Sequence, residues 1–204
     1  MNTTSPTRVV TGEVRLSYAH LFEPQSIHGS KPKYSVSLII PKTDTETISK
    51  IERAIDAAIE AGIGKFGGKH PNKAALKLPL RDGDLERDDE AYKGSFFVNA
   101  NSIQPPEIVD AGLQPILSPT EVYSGCYARV SLSFYAFNTN GNRGIACGLG
   151  NVQKLRDGQP LGGGRTSAAD DFAAFSAGAD FLCNPNSSRG GVLTDPPVGA
   201  PPHP

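Results

Sequence analysis

Between positions 127 and 137 the chain reads YARVSLSFYAF, and strict alternation puts Tyr127, Arg129, Ser131, Ser133, Tyr135 and Phe137 on one side of an extended segment. Rings, a guanidinium and small hydroxyls on a common face suit a ligand that is flat and anionic, because the rings offer stacking surfaces and the arginine a counter-charge. Such a face is too polar for an interior and too aromatic for a surface that meets only water. The opposite positions, Ala128, Val130, Leu132, Phe134 and Ala136, are ordinary core. Two other stretches repeat the pattern. Residues 33–40 turn Lys33, Ser35, Ser37 and Ile39 outward, and residues 92–101 turn Lys93, Ser95, Phe97, Asn99 and Asn101 outward.

These faces need strands to carry them. After Phe137 the run NTNGNRG contains an Asn-Gly pair, which supplies positive φ at a hairpin tip and leaves Arg143 at the exposed end. The return strand, residues 145–152, is bare on one face at Ala146, Gly148 and Gly150, as expected where something approaches the backbone closely or a small barrel bends. Residues 8–18 alternate Val10, Gly12, Val14, Leu16 and Tyr18 against Val9, Thr11, Glu13, Arg15 and Ser17, predicting one half-buried strand followed by a loop. Thr43-Asp44-Thr45-Glu46 fits a capping box before Ile48, Ile51, Ile55, Ala58 and Ile59, an apolar stripe at helical spacing that Gly62 or Gly64 ends. The expectation is about five strands and one substantial helix that plugs or flanks a barrel.

A chain of 204 residues, 38% hydrophobic and with 17 prolines and 22 glycines, suits one domain rich in strands and turns. No apolar run is long enough to span a membrane and MNTTSPTR lacks a secretory segment, so a cytosolic protein is expected. Cys126, Cys147 and Cys183 are odd in number and lack CxxC spacing, which predicts buried thiols and neither a disulfide framework nor a zinc site. Before position 166 there are nineteen basic and seventeen acidic residues. That small excess makes nucleic-acid binding a matter of local clustering.

Residues 65–77 are glycine-rich and basic, and Lys65, Lys69 and Lys73 are candidates for a mobile phosphate-contacting loop as well as for plain solvation. Six carboxylates between Asp82 and Glu90 lack the glycine and glutamate spacing of a calcium loop and read as a solvated acidic loop. No hydrolase or metalloprotease signature is present, and His20, His28, His70 and His203 are scattered. The expectation is a protein with no catalytic residue, cofactor or metal site. A metal-dependent nuclease built on the acidic loop is the weakest alternative.

The stretches YSGCYARVSLSFYAFN, GNRGIACGLGNVQKLRDGQPLGG and KPKYSVSLIIPK together resemble the single-stranded DNA-binding proteins of tailed bacteriophages of the Enterobacter phage Enc34 type, over residues 9–165. The resemblance implies a mainly β, five-stranded Greek-key OB-fold with one helix, related to the single-stranded DNA-binding proteins of T7-like phages. It implies a role in coating single strands during phage replication, recombination and repair, in the cytoplasm of the infected host. A recombination mediator or annealing protein is the alternative within the same ligand class. Stacking rings and phosphate-contacting bases are what sequence-independent single-strand binding requires. Alternation therefore offers Lys33, Lys93, Phe97, Arg129, Tyr135 and Phe137, with Arg143 on the hairpin tip and Lys65, Lys69 and Lys73 alongside; a monomer or homodimer is expected. Residues 1–165 are expected to form the binding domain and residues 166–204 a flexible acidic, Pro/Gly-rich tail. In it Asp170, Asp171, Phe172 and Phe175 would contact phage or host replication proteins, as T7-like relatives do with a tail that ends in an aromatic residue; this chain ends PPHP.

Overall fold

The computed structural model describes residues 5–26, 29, 31–139 and 141–161. The expected tail, with Asp170, Asp171, Phe172 and Phe175, lies outside the described residues, as do His28, Cys183 and His203.

Eight strands form one sheet: β1 (Arg8–Val10), β2 (Val14–Gln25), β3 (Lys33–Pro41), β4 (Leu80–Asp82), β5 (Ser95–Ser102), β6 (Ile108–Val109), β7 (Tyr127–Thr139) and β8 (Asn142–Arg156). β2 pairs with β3, β3 with β5, β5 with β8, β8 with β7 and β7 with β2, which closes a five-stranded ring. Four of the joins are antiparallel. The fifth, β5 to β8, is parallel and registers one pair, Asn101 with Gly148. Inside lie the alternate residues that the pattern assigns to core, among them Leu16, Leu38, Val98, Val130, Leu132 and Phe134.

The helix α1 (Thr45–Ala61) follows β3. Its cap is Asp44, one residue later than the capping box predicts, and the Asp44 carboxylate accepts the Thr47 N–H at 3.0 Å. Ile51, Ala54, Ile55, Ala58 and Ile59 are buried in the barrel core and Gly62 caps the other end. Thr47 Oγ1 accepts the Gly12 N–H at 2.9 Å, so the helix start is tied to the link between β1 and β2. None of the described helices is long and apolar enough to cross a membrane.

The first predicted strand is two. β1 leaves the ring and pairs along β7, while β2 turns in at Val14 and continues to Gln25, through residues expected to be loop. Along β2 the register slips by one residue, from Ser17 opposite Ser37 to His20 opposite Ser35. Tyr18 occupies the bulge with φ +47°, a left-handed conformation that costs a bulky side chain roughly 1–3 kcal/mol.

The bare face of β8 has a local cause. A Cβ at Gly148 would come 2.6 Å from Ser133 Oγ and 3.5 Å from the Tyr135 ring, and one at Gly150 would collide with Ser131 Oγ. The hydroxyls of β7 fill the space that these glycines leave, and Ser131 Oγ also accepts the Asn151 N–H at 2.7 Å.

Candidate nucleic-acid interface

The outer face of β3 and β5 has two halves. At one end Ile39 of β3 and Phe97 of β5 stand opposite each other, and Tyr92 packs on them edge to face with Phe97, ring centroids 5.3 Å apart. The Tyr92 hydroxyl donates to Ser37 Oγ at 3.1 Å. This small second core is roofed by residues 81–92, with Arg81 and Arg87 each 5.0 Å from the centre of the Phe97 ring. Phe97 is 0% exposed and offers no face to a base, which removes it from the stacking candidates.

The other half is open. Lys33, Ser35, Ser37, Asn99 and Asn101 form the floor of a groove, Tyr18 and His20 of β2 form one wall, and Lys31 and Arg87 stand at its rim. Alternation places Tyr18 inward with Leu16. The bulge reverses it, leaving the ring 55% exposed with the Arg87 guanidinium 5.7 Å above it. The Ala19 N–H freed at the bulge is satisfied by Ser124 Oγ at 3.0 Å. Tyr18, His20 and Arg87 line the groove although the sequence does not single them out, since a bulge leaves no periodic trace and Arg87 sits in a run that reads as acidic loop.

Among the described residues no carboxylate lies within ion-pair distance of Lys31, Lys33 or Arg87, so their charge is free for a ligand. Lys93 sits differently, beyond the covered end of β5 and paired with Glu90 at 2.5 Å, which raises its pKa. Lys42 bridges Asp84 at 2.6 Å and Asp82 at 2.9 Å. The Asp84 carboxyl is held below its ordinary value by Lys42 first and by the Gly94 N–H second. Asp82 and Asp89 cap the turns that follow them, and Glu86 pairs with Arg81. Most of the expected solvated acidic loop is therefore engaged in holding the roof.

The β7–β8 hairpin borders the groove one strand beyond β5. Tyr135 is 47% exposed beside Gly148, the partner of Asn101, and Phe137 is half-buried. Tyr127 is covered by the Arg156 guanidinium, 3.5 Å from its centre, so that face of its ring is already occupied. Residues 65–77 are pinned to the hairpin: Lys65 Nζ donates to the Ala136 carbonyl at 3.0 Å, Asn138 Nδ2 to the Lys65 carbonyl at 2.9 Å, and the Lys77 and Ile145 backbones bond across. The expected mobile loop is thus part of the hairpin lobe. Arg143 and Lys69 are exposed there without an acidic partner among the described residues, Lys73 pairs with Asp56 at 2.5 Å, and Arg129 lies apart from the groove.

Burial raises the thiol pKa of both Cys126 and Cys147, which keeps them protonated and inert. His70 hydrogen-bonds Glu60, which raises its pKa.

Around the ring the five strands follow one another as first, second, third, fifth and fourth in chain order, with the last join parallel and an open basic groove on the second and third. That arrangement defines an OB-fold of the kind that binds oligonucleotides or oligosaccharides on this face, between the first and the last hairpin loops. The chain belongs to the Enterobacter phage Enc34 single-stranded DNA-binding protein family, whose model matches residues 7–182. It is 30% identical over 178 residues to putative protein p50 of Acyrthosiphon pisum secondary endosymbiont phage 1, covering 83% of this chain and 94% of that protein. Among solved structures it resembles the single-stranded DNA-binding protein of bacteriophage Enc34 in complex with single-stranded DNA, at 26% identity and TM-score 0.65, over 76% of this chain and 90% of that one. The fold extends to gp2.5, a single-stranded DNA-binding protein of bacteriophage T7, at 16% identity and TM-score 0.55, over 92% and 98% of the two chains.

Proposed function

We propose that this chain binds single-stranded DNA without regard to sequence, coats and protects it during phage replication, recombination and repair, and catalyses no reaction. The observation that carries the reading is the open half of the β3–β5 face, where an exposed Tyr18 ring and the unpaired charges of Lys31, Lys33 and Arg87 meet in one groove. Bases stack on Tyr18 and, two strands beyond β5, on Tyr135, while the basic side chains take phosphates; Arg143, Lys65 and Lys69 extend the contact along the hairpin lobe. Paired bases in a duplex cannot present their faces to these rings. Family membership supports the reading, and so does the likeness to the Enc34 protein, which was solved in complex with single-stranded DNA.

In the same proposal residues 1–165 are the binding domain and residues 166–204 contact replication partners through Asp170, Asp171, Phe172 and Phe175. The family model reaches residue 182 and so includes these four positions. Fluorescence titration with dT oligomers of increasing length, at two salt concentrations and against a duplex of equal length, tests the function. Tight, salt-sensitive binding of dT and much weaker binding of duplex is expected. Equal affinity for both would overturn the proposal. Truncation after Arg165 should abolish capture of partner proteins and leave a dT-binding domain.

A further inference from the structure

Beyond β7, on the side away from β8, a second group of basic side chains converges. Arg8 of β1, Lys50 and Arg53 of α1 and Arg129 of β7 line one shallow pocket around Val10. Lys50 is paired with Glu46 at 2.6 Å. The three arginines have no acidic partner among the described residues. Arg129 donates Nε to the Thr11 carbonyl and Arg53 donates Nε to the Ser49 carbonyl, each at 3.3 Å, which leaves their terminal amino groups to point at a ligand. Like charges gathered without a counter-ion are a standing repulsion that an anion relieves.

The strand register connects this pocket to the groove. His20 lies opposite Ser35, Ser35 opposite Asn101, Asn101 opposite Gly148, Gly148 opposite Ser133, and Ser133 opposite Arg8. From Asn101 to Arg8 this row carries only a glycine and a serine, with the exposed Tyr135 ring at its edge. Three steps between neighbouring strands span about 14 Å at ~4.8 Å each. A single strand can cross that distance with at most about four nucleotides at a phosphate spacing of ~3.4 Å.

We propose that Arg8, Arg53 and Arg129 form a second phosphate-binding station, reached by a single strand that leaves the groove over Gly148 and Ser133. The inference rests on the single-strand reading of the groove. It gives Arg129 a role consistent with its place outside that groove, and it makes the occluded length greater than the groove alone would give.

The test uses the full chain with the double substitution Arg8→Ala and Arg53→Ala, titrated with a dT of about five nucleotides, near the lower end of OB-fold site sizes, and with a long dT. The short oligomer should bind both proteins equally. The long one should bind the variant about tenfold more weakly, as two exposed charge contacts supply. The slope of log affinity against log salt should fall by about 1.4, at ~0.7 per contact. Arg8→Lys with Arg53→Lys should restore the slope, which a packing role would not. Unchanged long-oligomer affinity and slope overturn the station while leaving the groove intact, and so does equal weakening of both lengths. If the unsubstituted protein binds neither oligomer, the groove reading falls as well.

Discussion

The two halves of the outer β3–β5 face differ in one respect that decides their fate. Where the outward residues are Ile39 and Phe97, the chain returns over them with Tyr92 and buries a second core; where they are Lys33, Ser35, Asn99 and Asn101, nothing among the described residues returns and the face stays open. Basic residues divide the same way. In the roof Lys42, Arg81 and Lys93 are neutralised by Asp82, Asp84, Glu86 and Glu90, whereas in the groove Lys31, Lys33 and Arg87 are not. An apolar outer residue recruits cover, because burying it stabilises the fold by about 1.5–3 kcal/mol per side chain. An unpaired cation beside an open ring marks a surface kept for a ligand.

The sharpest way to break this contrast is Phe97→Ala, which should destabilise the protein by about 3–5 kcal/mol in urea unfolding. Under conditions where the variant stays folded its dT affinity should be close to that of the parent. A selective loss of binding with unchanged stability would make Phe97 a stacking residue after all. Next in size is Tyr18→Ala, which should weaken dT binding by about 1–3 kcal/mol without lowering the melting temperature. The substitution puts a smaller side chain at φ +47°, so the strain at the bulge does not grow. Tyr135→Ala should act in the same direction.

A matched pair separates the halves by charge. Lys33→Ala should reduce the salt slope of dT binding by about 0.7, and Lys93→Ala, which removes a cation already paired with Glu90, should leave it unchanged. The smallest effect concerns acid. Because the Asp84 pKa is depressed, its contribution to the roof is complete above the ordinary carboxylate pKa and is lost as pH falls through the lower folded value. Amide exchange at Gly94 should accelerate over that interval, while exchange at Ser35 and Asn101 in the groove should not follow it.

Much of this is legible in the order of residues. Alternation separates inner from outer positions on β3, β5 and β7, the apolar stripe places α1, and the Asn-Gly pair places the hairpin tip. Periodicity cannot say whether an outward aromatic faces water or a returning loop, so Phe97 and Tyr135 look alike in sequence. It is also blind to a one-residue slip, which is why alternation puts Tyr18 among the core side chains. The glycines of β8 signal room for something to approach, and the occupants are the hydroxyls of Ser131 and Ser133. Pairing across the closed ring, which ties residues 65–77 to the hairpin and brings Arg87 over Tyr18, joins positions far apart in sequence and leaves no local signature.

The parallel join of β5 to β8 registers a single pair, Asn101 with Gly148, whereas β7 and β8 are paired nearly end to end. The hairpin is local and should close early, and the join of β5 to β8, registered by one pair, is the least secured contact of the ring. In the proposed binding mode the seam lies under the DNA, since Asn101 lines the groove and Tyr135 stands beside Gly148. A nucleic-acid strand laid from one to the other would be an external splint across the least registered joint of the barrel. Occupancy should slow the protein's unfolding more than it speeds refolding.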